Sequence, residues 1–302
     1  MIKSKRRVFI WFILPGLLIY TMFMILPLIQ TVFYSFFEWS GVGPMKSVQF
    51  DNYIQLFTNA RASRTFFNAL GNNLKYIVYQ LLFCLPFQVL FAYLLDKKIR
   101  GHRIFQPLIF LPYVFSSTII GFFSTLIFDS NLGLLNLLLA KIGLGHWIQP
   151  WFGDHHKAFN LLFMMAFWNG VGVSMMIFLA GMKNVPHEVI EASIVDGAKE
   201  RQRFFSVILP FLRPALINVV VLDTIWGFTF FDLPYIITGV NGGVGGATDF
   251  LNLYFYRNAF NGAYSGNAAT VGFAACISSV LFFIIVIVTL IQNFLLDKVE
   301  VY

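Results

Sequence analysis

The sequence predicts an all-α integral membrane protein with six transmembrane helices and a cytoplasmic helix–turn–helix loop, and three observations predict it. Hydrophobic residues make up 58% of the 302 residues and charged residues 12%, about half the charge of a soluble domain. Mean hydropathy is +0.73, and so few charges cannot cover a water-facing surface. Apolar runs recur at about the twenty residues that a helix needs to cross hydrocarbon. Basic residues collect in alternate loops, the pattern that orients membrane helices. A cytosolic enzyme, a secreted domain and a nucleic-acid-binding module are excluded, because the net charge of +7 sits in short segments between apolar runs.

Six segments have the required length: 8–34, 74–95, 104–128, 158–182, 214–238 and 268–296. The first follows Lys3, Lys5, Arg6 and Arg7, as a signal peptide would. Its apolar run from Val8 to Ile29 is 22 residues, longer than a signal core of about 7–15, and no small-residue cleavage site follows. It reads as a retained span. Segments 1–7, 96–103, 183–213 and 297–302 hold 14 of the 21 Lys and Arg residues, so both termini and the loop 183–213 are expected in the cytoplasm. Prolines within spans (Pro15, Pro27, Pro86, Pro107, Pro112 and Pro234) predict kinks. No linker or short repeat divides the chain, so 1–302 reads as a single membrane domain.

Several motifs fail on inspection. No G-x-x-x-x-G-K-[ST] occurs, so no phosphate-cradling loop and no nucleotide site is expected on this chain. His187-Glu188-Val189-Ile190-Glu191 begins like a zinc-protease motif, but Glu191 stands where the second histidine ligand would be. His155-His156 reads as a pair of solvated loop residues, and Gly239–Gly246 as a flexible loop or re-entrant turn after a membrane helix. Cys84 and Cys276 lie inside apolar runs and read as small buried hydrophobes. No nucleophile–base pair, metal site or resident cofactor is expected.

The loop 183–213 carries the densest chemistry. Pro186 suits a first helical position, and Glu188 and Glu191 suit the positive end of a helix dipole. Ile190, Ile194 and Ala198 recur on one face, and Gly197 can end the helix in a left-handed cap. A second short helix then carries Arg201, Arg203, Phe204 and Phe205 up to Leu209-Pro210. Small residues (Ala192, Ser193, Gly197 and Ala198) permit close approach of a soluble partner. An amphipathic loop lying on the membrane surface is the plainer alternative.

Glu191-Ala192-Ser193-x-x-Asp196-Gly197-Ala198, with Phe204 and Ile208-Leu209-Pro210 beyond, resembles the EAA loop of binding-protein-dependent ABC importer permeases. The resemblance covers nearly the whole chain. Phe50-Asp51-Asn52-Tyr53, Phe110-Leu111-Pro112-Tyr113, Gly133-Leu134-Leu135-Asn136, Phe231-Asp232 with Thr238, and Tyr256-Arg257-x-Ala259-Phe260 are similar to stretches of carbohydrate-uptake permeases of the maltose and glycerol-3-phosphate type. The pattern resembles the maltose inner-subunit half of the permease pair. Ser193 stands for the family's second alanine, and the stretch after Thr238 lacks the family's proline. The resemblance implies a second EAA-bearing permease, two cytoplasmic ATPases that use ATP and magnesium, an extracellular substrate-binding protein and a sugar or oligosaccharide cargo. It assigns ATPase docking to Glu191, Ala192, Ser193, Asp196, Gly197 and Ala198. A self-sufficient secondary transporter or channel is the alternative.

Ionisable residues inside spans mark functional sites by default. Asp223 shares a helical face with Trp226, Gly227 and Phe230, an acid beside rings that suits hydroxyls around an apolar sugar face. Asp232, nine residues on and so about 900° of helix away, is expected on the opposite side with a structural role at the outer mouth. In the resembling family this helix and the preceding one line the substrate path. The corresponding positions here are Asp223, Trp226, Gly227 and Phe230, with Ala166, Asn169, Gly170 and Val173. Helix packing for the rings, and an interhelical hydrogen bond for Asp223, are the structural alternatives. Only three basic residues (Arg61, Arg64 and Lys75) cluster near an outer helix end and none lies mid-span, which weighs against a highly anionic cargo.

Overall fold

A computed structural model describes residues 2–260 and 271–297, with side chains from Trp11 onward up to Leu296. Its backbone is almost wholly helical. Among the described residues, five helices are long and apolar enough to cross a membrane: Trp11–Tyr34, Ala60–Asp96, His155–Met182, Arg213–Thr238 and Val271–Leu296. Two further helices, α6 (His102–Val114) and α7 (Ser117–Phe128), pass the same test only as a pair, bent by 93° where they meet, the form of a broken span or a re-entrant loop. Apolar helix thus lies in each of the six expected segments; residues 268–270 of the last lie outside the described residues. The expected second span, 74–95, begins earlier than its hydropathy suggests, because Ala60–Asp96 is one helix of 37 residues.

The prolines account for the irregular turns. Among the described residues three π-turns occur, at Thr21–Ile25, Gln80–Cys84 and Phe204–Ile208, and each is followed two residues later by a proline: Pro27, Pro86 and Pro210. A proline ring collides with the carbonyl four residues back and lacks the N–H that would bond it. Widening the preceding turn by one residue relieves both problems. Pro112 closes α6 two residues before its end, and Ser116 caps α7 by accepting from the Ile119 N–H at 3.4 Å. Pro15 and Pro107 stay inside unbroken helices.

The chain forms two compact units. The first comprises residues 1–64 and 255–283. Here α1 (Ile2–Tyr20) and α2 (Leu26–Tyr34) flank the first π-turn and lead to a small hairpin, β1 (Phe37–Glu38) against β2 (Lys46–Ser47), then α3 (Asp51–Thr58). The turn after the first span is held by Asn52, whose amide donates to the Ser35 and Phe37 carbonyls at 2.8 and 3.1 Å. Gly272 approaches the same turn so closely that a Cβ there would lie 1.8 Å from the Phe37 oxygen.

The second unit comprises residues 65–254 and 284–302, so the helices Ala60–Tyr79, Leu251–Phe260 and Val271–Asp297 each belong in part to both units. The helices that follow α3 are α4 (Ala60–Tyr79) and α5 (Leu85–Asp96) either side of the second π-turn, α6, α7, α8 (Leu134–Lys141) and α9 (His155–Met182). Then come α10 (His187–Val195), α11 (Glu200–Arg203), α12 (Leu209–Phe211), α13 (Arg213–Phe228), α14 (Asp232–Thr238) and α15 (Leu251–Phe260). The final helix, α16 (Val271–Asp297), completes the chain. One buried cluster joins Val89, Ala92 and Leu95 of α5 to Phe178, Leu179 and Met182 of α9 and to Ile208, Leu212 and Val219.

The fifth span is not continuous. Thr229, Phe230 and Phe231 are non-helical, and α14 starts afresh at Asp232. The expectation that Asp223 and Asp232 face opposite sides of one helix is thereby corrected, because helical arithmetic does not carry across the break. Asp232 is exposed in the first turn of α14, where its charge complements the dipole.

Candidate functional site: the docking loop and the broken fifth span

The loop after α9 folds as two short helices. Pro186 caps α10 rather than opening it, with ψ of 132° placing it before the first helical residue. The far end of α10 is closed by Gly197 at φ +76°. The Gly197 N–H donates to Ile194 and the Ala198 N–H to Ser193, each at 3.0 Å, the paired bonds of a Schellman cap. A Cβ on Gly197 would meet nothing of this chain within 4 Å; the demand there is for a left-handed backbone, with open space beyond it. Glu191, Ala192 and Asp196 are exposed, Ala198 is half-buried, and Ser193 is buried with its hydroxyl donating to the Ile190 carbonyl at 2.6 Å. Ile190 is half-buried, but Ile194 and Val195 present apolar surface outward.

The loop is wired to the spans through α11 and the third π-turn. Glu200 pairs with Lys97 at the end of α5 and accepts from the Tyr93 hydroxyl at 3.2 Å. Burial, with Arg203 nearby, holds the Lys97 ammonium below the usual lysine range. The Tyr93 and Phe204 rings lie 4.6 Å apart, and Ile208 and Leu212 enter the core shared with α5 and α9. Phe204, Ile208 and Leu212 thus tie the segment after α10 to the spans through packed side chains.

In the fifth span, Asp223, Gly227 and Phe230 turn toward α4 and the second π-turn. Asp223 is 1% exposed and lies beside Gln80 and Cys84. Gln80 is the polar side chain set against its carboxylate, and Gln80 Oε1 itself has no hydrogen-bond partner. Gly227 permits contact that a side chain would block, since a Cβ would lie 2.3 Å from Ile77. Phe230, within the break, stacks on Tyr76 at 4.4 Å. Trp226 is 41% exposed, so the structure separates it from the acid with which the helical spacing grouped it. On α9, Ala166 joins Tyr76, Phe159 and Phe230 in one cluster. Asn169 donates to the Pro112 carbonyl at 2.8 Å, Gly170 borders open space, and Val173 is half-buried.

The residues that hold the break open are asparagines that sequence reasoning passed over. Asn73, fully buried, donates to the Gly227 and Phe228 carbonyls at 2.7 and 3.3 Å and accepts from the Leu251 N–H at 3.0 Å. Asn252 donates to the Thr229 carbonyl at 2.8 Å. Carbonyls freed by unwinding cannot turn to water inside a membrane, so protein donors must meet them. The available signal was an Asn72-Asn73 pair at the edge of an apolar run, amide donors where lipid offers no partner. Asn68 and Asn72 both donate to the Gly246 carbonyl at 2.9 Å, and Asn72 also to Asp249 at 2.8 Å.

The segment after Thr238 is correspondingly compact. Gly242 has φ of +73° and Gly243 of +71°, and a Cβ at these positions would strike Asp249 and Thr248 at 2.5 and 2.6 Å. Thr248 donates to the Thr238 hydroxyl at 2.8 Å. His155, expected to be solvated, makes a 3.0 Å hydrogen bond to the Val244 carbonyl. Among the described residues, no group of three or more His, Cys, Asp or Glu could hold a metal ion.

Residues 60–301 match the family described as "Binding-protein-dependent transport system inner membrane component". A probable ABC transporter permease protein, YurN of Bacillus subtilis, is 32% identical over 97% of this chain and 97% of its own length. The arabinooligosaccharides transport system permease AraP of Bacillus subtilis is 31% identical over 96% of this chain and 88% of its own. The multiple sugar-binding transport system permease MsmF of Streptococcus mutans is 29% identical over 96% and 95%. Among solved structures, a chain from a bacterial alginate ABC transporter in complex with an alginate pentasaccharide-bound periplasmic protein superimposes with a TM-score of 0.78. It is 19% identical, with coverage of 99% of this chain and 96% of that one; at that identity the likeness bears on the fold.

Proposed function

Because the chain belongs to the family of binding-protein-dependent transport system inner membrane components, we propose that it is one permease of an ABC importer for a sugar or oligosaccharide. The full-length relatives named for arabinooligosaccharides and multiple sugars support that cargo class. The remaining parts of the machine are a second EAA-bearing permease, two cytoplasmic ATPases and an extracellular substrate-binding protein. This chain works as a single transmembrane domain with both termini in the cytoplasm. It hydrolyses nothing and binds no cofactor; ATP and magnesium belong to the ATPases.

The observation that carries the reading is the geometry of α10 and α11. An exposed helix is capped by a left-handed glycine with free space around it, and its anchor runs directly into the core of three spans. Glu191, Ala192, Ser193, Asp196, Gly197 and Ala198 form the docking segment. ATP-driven closure of the ATPases moves α10, and the Tyr93–Phe204–Glu200 contacts pass that movement to α5. The substrate path runs along α9 and α13. Trp226, Asn169, Gly170 and Val173 offer it surface, while Ala166, Asp223, Gly227 and Phe230 form the backing that the break at 229–231 allows to move.

Co-expression with the second permease and the ATPases tests the docking assignment. Gly197→Asp should leave the chain inserted and paired with its permease partner but release or uncouple the ATPase. Normal ATPase co-purification together with normal uptake would refute the assignment.

A further inference from the structure

The helix α8 is built the wrong way round for a helix in water. Its inward side carries Asn136, which is buried and donates to the Ser130 and Gln149 carbonyls at 3.0 and 3.1 Å while accepting from Trp151 Nε1 at 2.8 Å. Asp129 fastens the approach to the helix by accepting from the Asn131 and Leu132 N–H groups, both at 2.8 Å, and those bonds hold its carboxyl below the usual aspartate range. The outward side carries Leu134, Leu137, Leu138 and Ile142, each more than half exposed. Their spacing (i, i+3, i+4, i+8) is one continuous helical stripe. The polar side chain of this helix thus faces the protein, and its leucines face away.

We propose that this outward stripe is a membrane-interface anchor, seated in lipid on the side of the bilayer opposite the docking loop. Three observations favour lipid as the occupant. The helix begins six residues after Phe128 ends α7, packs on α7, and continues the exposed apolar surface of Phe122, Phe123 and Leu126. At eight residues, about 12 Å long, α8 is too short to cross, and an apolar face of that length suits a helix lying along the interface. Its charge is confined to Lys141 at one end, with exposed Trp147 just beyond, the flanking residues that mark a headgroup boundary. A protein partner would be expected to meet polar groups across its contact, about one hydrogen bond per 100–200 Å², and the stripe has none to give. The anchor fixes the end of a span already bent by 93°, which no straight helix holds upright.

The experiment places a nitroxide at Leu138→Cys in the assembled transporter within a lipid bilayer. Cys84 and Cys276 are fully buried, and the parent chain serves as the labelling blank. Collision with molecular oxygen, which concentrates in lipid, should exceed collision with a water-soluble nickel chelate by several-fold. The same order should hold at Leu134→Cys, which keeps the test open if one variant assembles poorly. Dominance of the nickel chelate would overturn the proposal by putting the stripe in water. Exclusion of both reagents, or loss of oxygen access on adding the binding protein, would overturn it by showing that protein covers the stripe.

Discussion

Asn73 shows how one side chain sets the geometry of a span. Its amide closes two carbonyls that the unwound turn at Thr229–Phe231 would otherwise strand, and its oxygen receives the N–H that opens α15. Each buried polar group left unmatched costs about 1–3 kcal/mol. Asn73→Leu, which removes both functions at similar volume, should lower the thermal stability of the assembled complex, and Asn73→Asp should do the same because a carboxylate cannot donate. A thermal-unfolding midpoint equal to wild type in both would show that the break does not depend on this residue. Asp223 separates differently. If it backs the proposed path as a group that the break allows to move, Asp223→Ala should reduce uptake per assembled transporter while the amount of complex persists. Asn169→Ala, which removes the hydrogen bond to the Pro112 carbonyl, should give a milder loss. Unchanged specific uptake in Asp223→Ala would remove that residue from the path.

The helices were legible to different depths, for physical reasons. Hydropathy located the five long apolar helices and the bent pair among the described residues, because bilayer thickness sets a length that sequence must obey. It missed the extension of the second span to Ala60, where Arg61, Arg64 and Asn68 sit on helix that no longer needs to be apolar. Proline positions announced irregularity, but whether a turn widens, as before Pro86, or bends by 93°, as after Pro112, depends on what packs alongside. The EAA pattern located α10, its glycine cap and α11 because backbone chemistry specifies them locally. The grouping of Asp223 with Trp226 depended on burial against α4, which periodicity alone does not carry. The wiring from loop to span was also invisible, since Tyr93 and Glu200 meet only in three dimensions. That wiring yields an expectation: Phe204→Ala removes an aromatic contact worth about 0.5–1.5 kcal/mol and should raise the ATP consumed per sugar imported while assembly is retained. A wild-type ratio of ATP to sugar would show that the push travels elsewhere.

At the scale of the molecule, the proposed subunit supplies a path and a lever, and its ATPases supply the fuel. Its proposed sidedness rests on the basic loops. A cysteine at Ser47 should react with an impermeant thiol reagent added from outside the cell, and one at Ser206 should not; reversed labelling would invert the topology. Uptake into proteoliposomes decides whether the chain imports sugar only when the loop 183–213 is driven by ATPases, as proposed. These would contain the chain with its permease partner, the ATPases and the loaded binding protein. Labelled oligosaccharide should accumulate only with ATP on the docking-loop side, and Gly197→Asp should abolish accumulation without dissociating the two permeases. Accumulation driven by an ion gradient in vesicles lacking the ATPases would contradict the account.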